Sequence, residues 1–445
     1  MNAVALRSGS TARHIPPEVK ALLSALQLSE PELAPLKTLS SEEWASLLSF
    51  SDLAHLTLQI AQLPMDGFPD WVVERLRSNL EDNVLRYERI KSTYRETTEA
   101  LDRAGVEHLV IKGFTQSPDY VADPQFRAQS DIDFFCPPES IWAARDALYA
   151  IGYKAHGEKA SYARADHLET LVRLGDWQWK GNPFDPGMPL GIELHFCLWN
   201  ERVSHIRIPE IDLFWARRTT RVVNGFSFSC LSPIDHMAYF ALHILRNLFI
   251  GDWIVHHVFE LAVFLHSHAD DDSFWRLWYQ FHPPSLRSYQ TIAFFYAYSW
   301  FNCRLHPLAA QEIDRLPASR RSWLSCFSGS ALEHMFHQNK DSLWLYLSFF
   351  TSRREKWKIL TQVLLPFRIS SIRSPAVQMR NRRITLPSGR PLWLQYVAYL
   401  LNRSTNYGRT CLVVLWRGLR WKLWQFPYVK PALEWPKGTL NRDVS

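Results

Sequence analysis

The segment from Asp131 to Cys136 restricts the fold of this chain more than any other. It alternates two carboxylates with apolar side chains and ends at two prolines, so it is predicted to be a β-strand. Successive side chains of a strand point to opposite faces, and Asp131 and Asp133 therefore share one face while Ile132 points to the other. Such a strand requires a sheet with one apolar face and one face that accepts neighbouring carboxylates.

The segments on either side of this strand predict an α+β fold. Short apolar runs bounded by glycine or proline are typical of strands, whereas apolar residues that recur every three or four positions are typical of helices. These patterns place strands at 106–112, 131–136 and 192–197 and helices at Asp70–Leu101 and Ile141–Tyr149, with further helices from Ser232 onward. Strand, helix and strand in this order indicate a small α/β layer rather than a helical bundle.

Length and composition indicate a globular chain with several parts. Its 445 residues are 47% hydrophobic and 21% charged, which excludes disordered and collagen-like proteins. The order of elements predicts an N-terminal helical region at 1–95, a core that contains the strands at 96–231, a helical domain at 232–365 and a basic C-terminal segment at 366–445.

Charge is distributed unevenly along the chain. Residues 1–334 contain 31 Lys and Arg against 40 Asp and Glu, a net charge of −9, whereas residues 335–445 contain 19 against 4, a net charge of +15. A strongly basic region predicts a polyanionic partner. The segment from Trp416 to Trp424 mixes aromatic and cationic side chains, which suits packing on the acidic body, an anionic membrane surface or nucleic acid.

Three carboxylates indicate a site for divalent cations. Asp131 and Asp133 lie side by side on one strand face, and two neighbouring carboxylates repel each other unless a cation lies between them. Glu193 has a similar setting on the apolar strand at 192–197. If the two strands are neighbours, the three carboxylates meet at one edge and suit Mg²⁺ in a two-metal arrangement. Glu193 could instead pair with an arginine.

Four further residues suit the binding of a nucleoside triphosphate. Gly113 follows the first strand, where a glycine lets the backbone approach phosphates closely. Lys112 would add a point charge and Arg127 a planar guanidinium to the same phosphates. Ser130 would hydrogen-bond locally and fix the carboxylate strand.

Together these residues resemble the DNA polymerase β-like nucleotidyltransferase superfamily, which has a glycine-containing loop, a D-x-D strand and a lone acidic residue on a later strand. The chain is closer still to the uncharacterised bacterial nucleotidyltransferases that carry L-K-G and R-x-x-x-D-I-D. The likeness spans roughly residues 45–265. It is carried by "VIKGF" at 110–114, "R-x-x-S-DID" at 127–133, "IGY" at 151–153, "IELHF" at 192–196 and "LSPIDHMAYFALHIL" at 231–245.

The resemblance implies a small mixed β-sheet nucleotidyltransferase core with helical regions on both sides. It implies transfer of a nucleoside monophosphate from an NTP, with Mg²⁺ or Mn²⁺ as the cofactor. Asp131, Asp133 and Glu193 carry over as catalytic metal ligands. Lys112 and Gly113 carry over as residues of the same active site, which we expect to bind the nucleotide.

Two departures from the pattern affect the details. Phe114 stands where the superfamily prefers glycine or serine, which leaves the phosphate contacts undefined, and the role of Arg127 is less defined than that of the carboxylates. Nucleotidyltransferase-type toxins carry a related K-G-G-T and R-x-S-D-x-D pattern. The acceptor therefore stays open among a small molecule, a peptide and RNA.

Other interpretations of the same residues also remain open. The fold could serve a non-catalytic scaffold that binds RNA or a membrane, or a phosphotransferase. His195 shares a strand face with Glu193 and would be an active-site base, a phosphate contact or a polar residue at the sheet edge. Six histidines are possible metal ligands, but their spacing is unfavourable for one ion: His236, His243, His256, His257, His266 and His268. Three acidic residues would line a cleft or cap helices: Asp235, Asp252 and Glu260.

Cysteine usage and hydropathy predict a cytoplasmic protein. The six cysteines are scattered without a C-x-x-C pair, which favours reduced thiols. The N-terminal residues do not match a secretory signal, and no charge-free apolar stretch reaches 18 residues. Peripheral attachment to a membrane through the basic segment is compatible with this location.

Overall fold

A computed structural model describes residues 15–156, 165–223, 225–252, 254–337, 339–364, 405 and 408–422. The described chain forms two compact units, Ile15–Leu316 and the residues from Pro317 onward. The expected boundaries after residues 95 and 231 both lie inside the first unit, and a division there stays a prediction. Most of the basic segment at 366–445, with the helix expected near 391–401, lies outside the described residues.

The secondary structure of the first unit consists of helices around one sheet. Its helices are α1 (Pro17–Ala25), α2 (Ala34–Lys37), α3 (Ser41–Leu53), α4 (Thr57–Ile60), α5 (Asp70–Arg103), α6 (Ile141–Ala150), α7 (Glu201–Ser204), α8 (Leu213–Ala216), α9 (Pro233–Ile250), α10 (Val255–Ser267), α11 (Asp272–Phe281), α12 (Pro284–Phe301) and α13 (Pro307–Asp314). Its strands are β1 (Leu109–Val110), β2 (Asp131–Phe135), β3 (Lys154–Ala155), β4 (Leu171–Val172), β5 (Gly191–His195), β6 (Thr219–Val223) and β7 (Phe226–Cys230).

The second unit is helical in its described part. It contains α14 (Ala318–Phe327), α15 (Ser330–Glu333), α16 (Ser342–Leu347), α17 (Arg353–Leu364) and a helix at 408–422, here called the basic helix. Among the described residues, no helix is both long enough and apolar enough to cross a bilayer.

The strands form one mixed sheet in the order β3-β4-β5-β2-β1-β7-β6. β2 is parallel to β5 and β1 is parallel to β7, while the other neighbours are antiparallel. Helical regions lie on both sides of this sheet in the chain. The expected α+β fold with a mixed sheet and flanking helices is confirmed.

One face of the sheet is apolar because every second residue of its central strands is apolar. Ile132 and Phe134 of β2 and Leu194 of β5 are fully buried, and they belong to one cluster with Tyr94 and Leu101 of α5. The other face carries the carboxylates of β2 and β5. Side chains of α9 and α10 contact the polar residues near this face, so the two faces have different partners.

Several elements match the sequence patterns closely, and one central strand does not. The expected helix at Asp70–Leu101 is α5, and the expected strands at 131–136 and 192–197 are β2 and β5. The strand expected at 106–112 is shorter, because Gly113 adopts φ +74° and begins a 3-10 turn that ends the extended chain. The hairpin of β6 and β7 was not predicted, although its β-branched and aromatic residues are typical of strands.

Candidate active site

The parallel pairing of β2 with β5 brings the polar residues of both strands to one face. Asp133 is directly opposite Glu193, and Asp131 is opposite Gly191. The next pair on this face is Phe135 with His195. Because side chains two positions apart share a face, Asp131, Asp133, Glu193 and His195 lie on the same side of the sheet.

Three of these side chains converge closely enough to share one ion. Ligand atoms of Asp133, Glu193 and His195 lie within 4.8 Å of one another, the one such group among the described residues. His195 Nε2 is 2.9 Å from Asp133 Oδ1 and 3.6 Å from Glu193 Oε2. The Thr170 hydroxyl donates to Glu193 Oε1 at 3.1 Å and so orients that carboxylate. Two carboxylates and one imidazole are a donor set that fits a divalent metal ion.

Lys112 reaches the same centre from the end of β1. Its Nζ is 2.7 Å from Asp133 Oδ1, and the Asp133 side chain is buried while that of Lys112 is 14% exposed. Burial acts to lower the pKa of Lys112, but the charges of Asp133, Glu193 and Asp131 outweigh it and raise that pKa. Lys112 is therefore a largely buried ammonium that faces three carboxylates.

The pKa values of Asp131, Asp133 and His195 are shifted in different directions. Burial and the charges of Asp133 and Glu193 raise the pKa of Asp131 to about 7. Burial alone would raise the pKa of Asp133, but Lys112 and His195 hold it well below its usual range. Burial opposes protonation of His195, yet hydrogen bonds to Asp133 and Glu193 raise its pKa to about 9. Such a crowd of negative charge favours a bound cation.

Gly113 provides room where the sheet meets the following turn. A Cβ at this position would lie 2.3 Å from the Gln129 side chain, and its φ of +74° disfavours other residues. Gln129 Nε2 donates to the Asp131 carbonyl at 2.5 Å, and Arg86 Nε donates to the Gln129 carbonyl at 2.8 Å. The turn thus packs against the residues that lead into β2.

Arg127 and Ser130 lie before β2, where the sequence places them. Arg127 Nε is 2.8 Å from Glu260 Oε1 of α10, in a pair with little exposure. Gln116 Nε2 donates to the other Glu260 oxygen at 3.2 Å. The Ser130 carbonyl accepts from Gly191 N at 3.1 Å and links β2 to β5. Arg127 is therefore tied to the helical side of the site, apart from the carboxylates that converge.

Two residues near His195 were not expected from the sequence. Asp166 Oδ2 lies 3.9 Å from His195 Nδ1, and Arg246 of α9 forms an ion pair with Asp166. Burial would raise the pKa of Asp166, but Arg246 and His195 lower it. Asp166 precedes β4 and Arg246 is 80 positions further along the chain, so no local pattern relates them.

The other histidines and acidic residues have different partners. His236 is buried, and desolvation lowers its pKa to about 3. His243 and His257 contact each other edge to face at 4.8 Å. Asp235 is fully buried and pairs with Arg217 and His282, which is a structural contact. None of these belongs to a metal-ligand group within the described residues.

Sequence comparisons identify the family of the chain. No curated protein and no solved structure shows significant similarity to it. A family described as "Uncharacterised nucleotidyltransferase" matches residues 42–302, which is more than half of the chain and includes the whole sheet with α9 and α10. The protein therefore belongs to this nucleotidyltransferase family.

Proposed function

We propose that the protein transfers a nucleoside monophosphate from an NTP to an acceptor hydroxyl in a Mg²⁺- or Mn²⁺-dependent reaction. The acceptor oxygen would form a bond to the α-phosphorus while the bond to the bridging oxygen breaks and pyrophosphate leaves. The observation that carries this proposal is the buried convergence of Asp133, Glu193 and His195 beside Lys112 in a chain of the nucleotidyltransferase family.

Each site residue has a proposed role in this reaction. Asp131, Asp133 and Glu193 would hold the metal, which when bound neutralises charge on the reacting phosphate. Lys112 would bind phosphate oxygens as a point charge, and Glu193 would accept the proton of the acceptor hydroxyl. Catalysis would then come mainly from orientation and from fixed charges.

The phosphate contacts of the surrounding residues follow from their positions. Gly113 opens a turn whose backbone N–H groups would face phosphate oxygens, and Ser130 would fix the start of β2. Arg127 is already paired with Glu260, so its guanidinium would be shared between that carboxylate and the nucleotide. We therefore assign Arg127 a weaker role in binding than Lys112.

The acceptor would be a small molecule, a peptide or RNA, and the protein would act in the cytoplasm. Transfer with NTP labelled at the α-phosphorus tests the reaction, and a screen of acceptors read by mass spectrometry identifies the product. Release of pyrophosphate supports nucleotidyl transfer, whereas release of a nucleoside diphosphate indicates phosphoryl transfer on the same fold.

A double substitution tests the site. Asp131→Asn with Asp133→Asn is expected to abolish metal-dependent NTP binding in calorimetry and to reduce transfer at least about a thousandfold. Asp146→Asn removes an exposed carboxylate of α6 and is the control, with no expected change. If the double variant binds and transfers like the wild type, the site assignment is wrong. If the wild type itself neither binds NTP nor transfers nucleotide, a non-catalytic role is favoured.

A further inference from the structure

We propose that His195 is a nitrogen ligand of the catalytic metal ion and that this site consequently prefers Mn²⁺ to Mg²⁺. The inference rests on the proposed function, since it names a ligand of the metal that this function requires. The ligand set proposed here differs from the three carboxylates expected from the sequence. It includes His195, because the imidazole of this residue lies beside Asp133 and Glu193.

The position of His195 suits a ligand. It is the last residue of β5, two places after Glu193 and on the same face, and only 1% of its surface is exposed. Its Nε2 lies 2.9 Å from Asp133 Oδ1 and 3.6 Å from Glu193 Oε2. Ligand atoms at neighbouring corners of an octahedron with bonds of about 2.1 Å are about 3 Å apart. The observed spacing therefore needs little movement of the strands.

The other ring nitrogen faces a carboxylate that can orient it. His195 Nδ1 is buried without a hydrogen-bond partner and lies 3.9 Å from Asp166 Oδ2. Arg246 of α9 pairs with the same Asp166 oxygen. A ligating histidine commonly donates its second N–H to a carboxylate, which leaves the first nitrogen free to bind metal. Asp166 and Arg246 would be positioning residues in this arrangement.

Lys112 occupies the same Asp133 oxygen and must be able to move. Its Nζ is 2.7 Å from Asp133 Oδ1. The ammonium is carried by a flexible four-carbon stem, which lets it turn to phosphate oxygens while the strand residues stay in place. His195 lacks this freedom, because its ring is packed against that of His167 with 5.0 Å between the centroids.

The donor atoms decide the metal preference. Mg²⁺ is bound mainly through oxygen, whereas imidazole nitrogen suits softer divalent ions and strengthens their binding relative to Mg²⁺. We expect wild-type protein to bind Mn²⁺ at least about tenfold more tightly than Mg²⁺. An all-carboxylate site of the same charge would discriminate less between these ions.

Electron paramagnetic resonance with Mn²⁺ alone tests the inference without an activity assay. Pulsed spectra of the full chain with Mn²⁺ should show coupling to one imidazole nitrogen. His195→Gln should lose this coupling and reduce the preference for Mn²⁺ over Mg²⁺ in calorimetry. His266→Gln alters a histidine near the end of α10 that accepts from the Arg304 backbone N–H, and it should keep both properties.

The outcomes separate this inference from the proposed function. If Mn²⁺ binds but no nitrogen coupling appears, or His195→Gln keeps the coupling, His195 is not the ligand and the nucleotidyl transfer proposal stands. If neither Mn²⁺ nor Mg²⁺ binds, with or without NTP, the proposed function itself is overturned. Circular dichroism of each variant checks that the fold is intact.

The basic helix carries a second, independent inference. One side of it is fixed within the second unit: Arg417 pairs with Asp341 at 2.7 Å, Trp421 Nε1 donates to the Ser322 hydroxyl at 3.0 Å, and Trp344 Nε1 donates to the Val414 carbonyl at 3.1 Å. Residues 414, 417 and 421 recur at helical intervals, so they form one face. The opposite face points away from these contacts.

That opposite face is apolar and bordered by cations. Leu412, Leu415, Trp416 and Leu419 follow the helical repeat and expose 70%, 40%, 64% and 49% of their surface. With 3.6 residues per turn, the remaining cations lie along both borders of this stripe. The bordering cations are Arg409 and Arg420 on one side and Lys422 on the other, and residues 408–422 contain no acidic side chain.

We infer that this face docks on a bilayer with anionic phospholipids. An apolar stripe with a tryptophan and flanking cations lies well at the boundary between headgroups and acyl chains. The net charge of +15 over residues 335–445 complements an anionic surface and opposes pairing with a second copy of the chain. Nucleic acid is disfavoured, because three of the four exposed side chains are leucines, which cannot stack on bases as aromatic rings do.

Vesicle flotation with the full chain tests this surface. Vesicles of phosphatidylcholine with phosphatidylglycerol should bind the wild type, and pure phosphatidylcholine should bind much less. The triple serine variant, Leu412→Ser with Leu415→Ser and Leu419→Ser, should reduce binding at least about tenfold. The control, Leu85→Ser with Leu277→Ser, changes exposed leucines of the first unit and should bind normally.

Three results would overturn the bilayer inference. They are no binding by the wild type, equal binding to neutral and anionic vesicles, and unchanged binding by the triple serine variant. A single-stranded RNA that binds the wild type while anionic vesicles do not would identify a nucleic-acid surface instead.

Discussion

Two buried groups of charged side chains, one in each unit, differ in how their charges are balanced. The sheet cluster consists of Lys112, Asp131, Asp133, Glu193 and His195, and Asp133 there has two basic neighbours. The C-terminal cluster consists of Glu333, Asp341 and Arg417, where the Arg417 guanidinium lies 3.7 Å from Glu333 and 2.7 Å from Asp341.

The pKa values follow this difference. Lys112 and His195 overcome the effect of burial and lower the pKa of Asp133. In the C-terminal cluster burial prevails over Arg417, so that the pKa values of both Glu333 and Asp341 are raised. The sheet cluster therefore keeps a charged carboxylate beside other ligand atoms, as a metal site needs. The C-terminal cluster uses its charges to hold the basic helix in place.

Removal of Arg417 from the C-terminal cluster should cause the largest loss of stability. Arg417→Met removes the guanidinium that lies beside two buried carboxylates, which costs about 3–5 kcal/mol. Hydrogen exchange of residues 408–422 should accelerate accordingly. Arg409→Met, on the exposed side of the same helix, should change stability by less than about 0.5 kcal/mol. Equal effects of both variants would show that the cluster does not anchor the helix.

The pH dependence of the second unit should reflect Glu333. Burial raises its pKa from 4.5 to about 7 in the folded state. The folded chain thus holds a proton that the unfolded chain releases, so this stabilisation is complete below about pH 4.5 and is lost as pH rises to about 7, by up to about 3 kcal/mol. Glu333→Gln should remove this slope, as melting temperatures at pH 5 and pH 8 would show. An unchanged slope would contradict the assignment to Glu333.

Removal of Lys112 from the sheet cluster should destabilise the protein less than Arg417→Met does. The same change should strengthen the binding of a metal ion. In Lys112→Met, His195 still donates to Asp133, so the loss should be about 1–2 kcal/mol. Binding of Mn²⁺ without nucleotide should become at least about tenfold tighter, because a positive charge has left the site. Calorimetry should also show weaker NTP binding.

A matched variant keeps the Lys112 test specific. Lys154→Met removes an exposed lysine of β3 and should change neither Mn²⁺ nor NTP binding. If Lys112→Met weakens the binding of Mn²⁺ and of NTP equally, Lys112 supports the structure of the site and does not bind phosphate.

The smallest effect should come from a glycine of the basic helix. A Cβ on Gly418 would lie 2.0 Å from the Trp344 ring, which must then shift. Gly418→Ala should therefore cost about 1 kcal/mol, partly offset by the higher helix propensity of alanine. Urea denaturation would measure it, and Leu419→Ala on the exposed face should be nearly neutral. A stabilised Gly418→Ala would show that the helix is not packed on Trp344.

Local patterns in the sequence predicted much of the fold. The extent of α5, β2 and β5 follows from residue periodicity, since each pattern lies within one element. The shared face of Asp131 and Asp133 follows from the period of two in a strand. The roles of the site residues remain proposals.

Partners that come from distant parts of the chain could not be predicted in this way. Arg127 pairs with Glu260 across 133 positions, and Arg246 pairs with Asp166 across 80. Glu260 could be considered as a cleft residue, but no spacing connected it with Arg127. The contact arises because α10 places Glu260 beside the turn after β1 and the loop before β2, which short patterns do not encode.

The sequence by itself determined the types of side chain available and the face of the strand or helix on which each lies, because periodicity is a local property of the backbone. Only the tertiary structure decided that β5 lies parallel to β2 and that His195 meets Asp133 and Glu193. It also decided that Arg417 pairs with Asp341 in the second unit, while Leu412, Trp416 and Leu419 are exposed. These outcomes depend on how separate elements pack, since burial and charge pairing bring distant residues together.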